Sequence, residues 1–154
     1  MTIGLWKGNA IGAAVSAVAL TVATVVYWKP DWERYEATVR PAYTAAPGQE
    51  ITVDGQTWAV RHVSRSTTQL GSGAPVPEGT ARVNVGIERS GTQDAEFGCF
   101  GYLTDGERSW KFVGGQPCRS AMSMRWDFLV PTSARLTAVE IRTPDQAIVF
   151  RFQL

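Results

Sequence analysis

The chain has 154 residues, 44% of them hydrophobic, with 15 basic and 14 acidic groups and a formal net charge of +1. That length holds one ordinary domain plus a short appendage. So even a charge balance offers no footprint for nucleic acid and no polybasic stripe for anionic lipid. Twelve Arg against three Lys, with abundant Ala, point to a GC-rich genome of the actinobacterial kind.

The charges are unevenly placed. Residues 10–28 carry none, and every acidic residue lies after Lys29. As a helix these 19 residues span roughly 28 Å, about one hydrocarbon core. Trp6 precedes the segment, and Tyr27 and Trp28 close it, at the levels where interfacial aromatics belong. Pro30 is expected to end the helix. Ala17-Val18-Ala19 resembles a signal-peptide cleavage site, but nine more uncharged residues follow it. A mature N-terminus of that kind is unfavourable, so the segment is expected to be retained as an anchor. No Cys stands near the N-terminus to take a lipid.

The expected organisation is a cytoplasmic stub (1–9), a transmembrane helix (10–28), a juxtamembrane linker (29–48) and an extracytoplasmic domain (49–154). Lys7 on one side and Lys29, Arg34 and Arg40 on the other leave the positive-residue rule divided. The short stub and the cysteines decide for a cytoplasmic N-terminus. Gly4, Gly8, Gly12 and Ser16 recur every four residues. Such a ridge of small residues lets a partner membrane helix approach closely, although Gly and Ala are common in membrane helices without any partner.

The linker is polar with aromatics from Lys29, where a short surface helix fits, and extended or turn-like around Pro41 and Pro47-Gly48. From Glu50 the pattern is β. Residues 50–53, Asp54-Gly55 and residues 57–64 read as a hairpin with a type I′ turn, placing Trp58, Val60 and His62 on one face. Residues 69–79 hold three Gly and two Pro and read as a loop. Ala81, Val83, Val85 and Ile87 alternate with polar neighbours in the clearest strand of the chain. Residues 96–104 and 109–113 flank a turn at Asp105-Gly106-Glu107. Strands then follow at 124–130, 136–142 and 147–154. Seven or eight short strands without an intervening amphipathic helix predict an antiparallel, immunoglobulin-like β-sandwich.

Cys99 and Cys118, the only two cysteines, enclose the 105–107 turn. In an extracytoplasmic domain a lone pair usually forms a disulfide, and a loop of this size contributes about 3 kcal/mol in the chain-entropy model. Two free thiols are the alternative; a metal site lacks both Cys-x-x-Cys spacing and a nearby His.

Catalytic chemistry is not expected. His62, the single histidine, falls in a strand of alternating apolar residues, where packing is a commoner role than acid–base work. Asp94 with Glu96 and Asp105 with Glu107 lie in turn-like stretches that Asp and Gly serve structurally. Gly71-Ser72-Gly73 and Gly114-Gly115 lack the Lys-Ser/Thr ending of a phosphate loop. Trp58, Trp110, Phe112, Trp126 and Phe128 sit in strands and are expected in the core. No cofactor is expected.

The run from Pro47-Gly48 through Val53-Asp54-Gly55 to Trp58 and Val60 resembles the opening of small immunoglobulin-like domains of the DUF4352 type. The resemblance continues in Val76-Pro77-Glu78-Gly79-Thr80 and in Phe128-Leu129-Val130-Pro131, covering roughly residues 47–154. It implies an extracytoplasmic interaction module with no catalytic residues. This chain departs from the lipoproteins of that kind by carrying a helix in place of a lipidated Cys. The expected function is a non-catalytic accessory or scaffold subunit of an envelope membrane complex; the alternative is a ligand-binding or sensory domain for an envelope component.

Overall fold

The structure, a computed structural model, describes residues 3–68, 75–91, 98–116, 118 and 122–154; for residues 3–9 and 11 it describes the backbone alone. It divides into two compact units, Met1–Glu36 and Ala37–Leu154.

The first unit is helical. Helix α1 (Ile3–Ala23) passes into a π-helical turn (Thr24–Trp28) and then α2 (Lys29–Val39). Thr21 and Thr24 donate their hydroxyls to the carbonyls of Ala17 (2.9 Å) and Leu20 (2.8 Å), so neither needs water. Pro30 does not end the helix as expected. In the π turn the Lys29 N–H reaches back five residues to the Thr24 carbonyl. Such a widened turn relieves the clash of a proline ring with the carbonyl four residues before it, and Pro30 then falls in the first turn of α2.

The second unit is a two-sheet β-sandwich. Among the described residues it has nine strands: β1 Tyr43–Ala45, β2 Ile51–Val53, β3 Gln56–Ser66, β4 Thr80–Gly91, β5 Phe100–Thr104, β6 Ser109–Lys111, β7 Ser123–Pro131, β8 Ala138–Arg142 and β9 Ile148–Gln153. One sheet has the order β1-β9-β8-β5-β6 and the other β2-β3-β4-β7. All pairs are antiparallel except β1 with β9, which run parallel from Tyr43 beside Phe150 to Ala45 beside Phe152. The segment expected as a linker at 29–48 therefore contains α2 and a strand of the sandwich. Three residues between Pro41 and Pro47 are too few to show alternation. The turn between β2 and β3 has positive φ at both Asp54 (50°) and Gly55 (73°), as a type I′ hairpin requires.

The core is made by inward residues of both sheets. Ala81, Val83, Val85 and Ile87 of β4 and Met124, Trp126, Phe128 and Val130 of β7 face Leu103, Val139, Ile141, Phe150 and Phe152. Trp126 is fully buried and lies against Gly101 of the opposite sheet, where an added Cβ would stand 2.1 Å from the indole. Its Nε1 donates to the Gln116 carbonyl at 2.8 Å, and Phe112 stacks on it at 5.7 Å between centroids. Gly115 (φ 121°) passes so close to β7 that a Cβ there would meet the Arg125 carbonyl oxygen at 2.2 Å.

Gly101→Ala should cost about 1–3 kcal/mol as overpacking, and Trp126→Ala about 3–5 kcal/mol as a large-to-small change. Urea unfolding of the full chain in detergent checks both. A Gly101→Ala protein as stable as the wild type would show that the indole has room to move.

Candidate functional site

The residues singled out in the sequence fall at different places. His62 does not share a face with Trp58 and Val60. In the β3–β4 ladder Val60 pairs with Ile87 and His62 with Gly86, so Arg61 is an extra residue in a β-bulge. A bulge reverses side-chain parity beyond it. Val63 and Arg65 now take the inward direction, and His62 stands exposed on the outer face above Gly86. Arg65, at the end of the sandwich, donates to the carbonyls of Ala134 (3.1 Å), Pro131 (3.1 Å) and Thr132 (2.6 Å). Arg61 reaches Glu50 (2.7 Å) and Glu88 (2.8 Å), and its hydrogen bond to Glu88 raises its pKa further. Each partner is about half exposed, so these pairs add little stability.

Asp105 and Glu107 do not form an acid–base pair. The Asp105 carboxylate accepts the backbone N–H groups of Glu107 (3.1 Å) and Arg108 (2.7 Å) and faces the Arg108 guanidinium at 3.0 Å. This is an Asx turn. The Arg108 N–H above all, with the Glu107 N–H and the Arg108 charge, holds its pKa below the usual carboxylate range. Asp94, Glu96, Gly71 and Gly73 lie outside the described residues. Gly114 and Gly115 are spent on the close approach to β7, where Asp127 and Gly114 exchange backbone hydrogen bonds. Among the described residues no group of three His, Cys, Asp or Glu is placed to hold a metal.

Cys99 and Cys118 lie at disulfide distance, with Cα atoms 5.1 Å apart and both side chains buried. Arg89 of β4 is buried beside them. Its guanidinium lies 5.3 Å from the centre of the Trp58 ring and Nη1 donates to the Cys118 carbonyl at 3.4 Å, while Nε and Nη2 meet no hydrogen-bond acceptor among the described residues.

Gly12 and Ser16 sit on α1, where a Cβ on Gly12 would meet nothing. Gly4, Gly8 and Trp6 fall among residues whose side chains are not described. Tyr27 and Trp28 are 71% and 77% exposed.

The densest polar constellation among the described residues was not read from the sequence. It lies on the outer face of the five-stranded sheet, where Tyr102, Glu140 and Arg151 stand side by side on β5, β8 and β9. Glu140 is only 1% exposed. Its two carboxylate oxygens are clamped separately, one by Arg142 (Nε at 2.9 Å) and the other by Arg151 (Nε at 2.8 Å). Arg142 lies over the Tyr102 ring at 4.4 Å, and the Lys111 ammonium over Phe100 at 4.0 Å. Among the described residues the face thus carries three cations, Lys111, Arg142 and Arg151, beside the Glu140 carboxylate, each cation held by that carboxylate or by a ring. The available signal was a Glu and an Arg two residues apart in an apolar strand near the C-terminus, and so on one face of it.

Glu140→Gln should destabilise the sandwich by about 2–3 kcal/mol, below the full range for breaking a buried pair because Arg151 keeps contact with water. Replacing Glu140, Arg142 and Arg151 together by Leu and Met should recover part of that loss. Urea unfolding decides, and a change under about 0.5 kcal/mol for Glu140→Gln would remove the clamp as a structural element. A second test uses acid. The depressed Asp105 pKa contributes stability that is present above the unfolded value of about 3.9 and lost as pH falls through the lower folded value. Asp105→Asn keeps an acceptor for the turn, so its stability should vary less with pH below about 4 than that of the wild type.

No protein-family model and no curated protein matches the chain. Among solved structures it is similar to an uncharacterized beta-sandwich protein from Clostridium difficile 630, at 10% identity and a TM-score of 0.44, over 75% of this chain and 95% of that one. The likeness brings no activity with it.

Proposed function

We propose that the chain is a single-pass membrane protein whose N-terminal helix is a retained anchor and whose β-sandwich lies outside the cytoplasm, serving without catalysis as an accessory or scaffold subunit of an envelope complex. One observation carries the reading. Val15, Val18, Val22, Val25 and Val26 form one broad arc of the helix and Leu20 stands on the other side, each more than half exposed, and only exposed Gly, Ala, Ser and Thr fill the positions between them from residue 12 to residue 26. A helix apolar all round cannot face water; it needs lipid or other helices. The helical segment is also long and apolar enough to cross a bilayer. The buried cysteine pair supports an oxidising compartment, since such bridges persist outside the cytosol.

The sandwich is read as immunoglobulin-like. Its β5, β8 and β9 lie side by side as strands C, F and G do in that architecture, although β2-β3-β4-β7 runs in chain order where the companion sheet normally doubles back. Two clefts bordered by described residues of the sandwich hold about 250 and 240 Å³. Both are smaller than the roughly 300–1,000 Å³ of typical ligand pockets. The outer face of the five-stranded sheet, with its fixed cations and rings, is the surface we assign to the partner.

The protein recovered from membranes after alkaline extraction should keep its N-terminus, by intact mass. Its cysteines should resist alkylation in intact cells unless first reduced. A mature chain beginning near residue 20 would replace the anchor by a cleaved signal. Purification in mild detergent should bring down a second membrane protein in fixed ratio, and recovery of a lone monomer under every condition would end the accessory reading.

A further inference from the structure

We infer that the aromatic face running from the end of the π-helical turn into α2 is a second membrane contact, seated in the lipid headgroup layer beyond the hydrocarbon core; this rests on the anchored reading of the helix. Trp28, Trp32 and Tyr35 are spaced by four and three residues, which gathers them into an arc of roughly 60° on a helix. They are 77%, 62% and 57% exposed, and the rings of Trp32 and Tyr35 meet at 5.8 Å. With Thr24, and with Lys29 and Asp31 at its borders, they line an open groove whose surface is mostly apolar. Pro30, Glu33 and Arg34 occupy the opposite side.

The rise of the helix fixes the level of this face. With Trp28 at the edge of the hydrocarbon core, the backbone of Trp32 stands roughly 6 Å higher and that of Tyr35 roughly 10 Å higher. The headgroup layer is roughly 5–8 Å deep on each side. Helical side chains lean toward the N-terminus, so with the N-terminus on the far side of the bilayer all three rings lean back into that layer. Trp and Tyr are the residues that such a layer favours.

Charge separates lipid from a second copy as the occupant. A parallel pair using this face as its seam would set Asp31 of one chain beside Glu36 of the other, like against like. Residues 29–36 hold two basic and three acidic groups, two pairs of which bridge on the helix surface at 3.7 and 3.4 Å. The contact is therefore one of rings with the interface and does not call for anionic lipid.

The test uses the full chain carrying 5-fluorotryptophan, reconstituted in phosphatidylcholine nanodiscs, with the Trp28 and Trp32 fluorine signals assigned through Trp28→Phe and Trp32→Phe. A nitroxide on the lipid headgroup should erase both signals and leave that of the buried Trp126. A soluble gadolinium chelate should affect Trp32 little, and the pattern should be unchanged with phosphatidylglycerol added. If Trp28 responds to the nitroxide and Trp32 only to gadolinium, the face lies in water, and the inference is overturned while the anchor stands. If Trp32 is shielded from both agents, protein covers the face and the inference is likewise overturned. If neither tryptophan responds to the nitroxide, the anchored reading fails and takes the inference with it.

Discussion

The sandwich depends on the seating of one indole. Two sheets packed face to face leave a gap of roughly 10 Å, and near its centre Trp126 fills that gap because Gly101 on the facing strand has no side chain to compete. The consequence spreads along the chain. The Trp126 Nε1 bond to Gln116, the stack with Phe112 and the paired backbone bonds between Gly114 and Asp127 draw residues 112–116 across the flank of β7. A nine-residue edge strand is thereby partly covered, which limits its pairing with another chain. The same turn of chain delivers Cys118 to Cys99, whose carbonyl accepts the Cys118 N–H at 3.4 Å. The ring thus positions the cysteine pair as well as filling the core.

Most of this architecture was legible in the residues, for stated reasons. Alternation in β4 and β7 puts every second side chain inward, and the burial follows it without a break from Ala81 to Arg89. Asp54-Gly55 and Asp105-Gly106 announce their turns because both call for special backbone angles or local side-chain bonds. What stayed hidden has equally physical causes. The bulge at Arg61 carries neither Gly nor Pro, and only the register against Ile87 and Gly86 reveals it; one inserted residue moved His62 from the expected inner face to solvent. Pro30 was a sound stop signal for a regular α-helix, and the π turn ahead of it removes the condition on which that signal rests. The Glu140 clamp needed knowledge of strand neighbours, since Arg142 is close in sequence but Arg151 arrives on another strand.

The two outer faces of the sandwich treat charge differently. On the four-stranded sheet Arg61 bridges Glu50 and Glu88 with all three side chains near half exposure, an arrangement that water competes for. On the five-stranded sheet Glu140 has lost nearly all contact with water, and its two arginines repay the desolvation through separate oxygens. Rings beneath Lys111 and Arg142 restrain those cations further. A partner approaching this second face meets groups already ordered and already partly stripped of water. Docking on such pre-ordered groups loses less entropy, which is the physical basis of the proposal that a partner would bind on that side.

The anchor and the cysteine pair address compartment from unrelated physics. An all-round apolar helix is a statement about solvent: residues 10–28 have no charge, and the two threonine hydroxyls are satisfied within the helix itself. A buried cysteine pair is a statement about redox poise: it is stable as a disulfide only where thiol reductants are scarce. A cytosolic chain would need neither, whereas a chain sent across the membrane uses an apolar N-terminal helix, as anchor or as signal, together with the disulfide. The apolar helix and the cysteine pair thus agree on export from the cytosol, and the proposed retention of the helix adds that its uncharged residues run on for nine positions beyond the small-residue motif at 17–19.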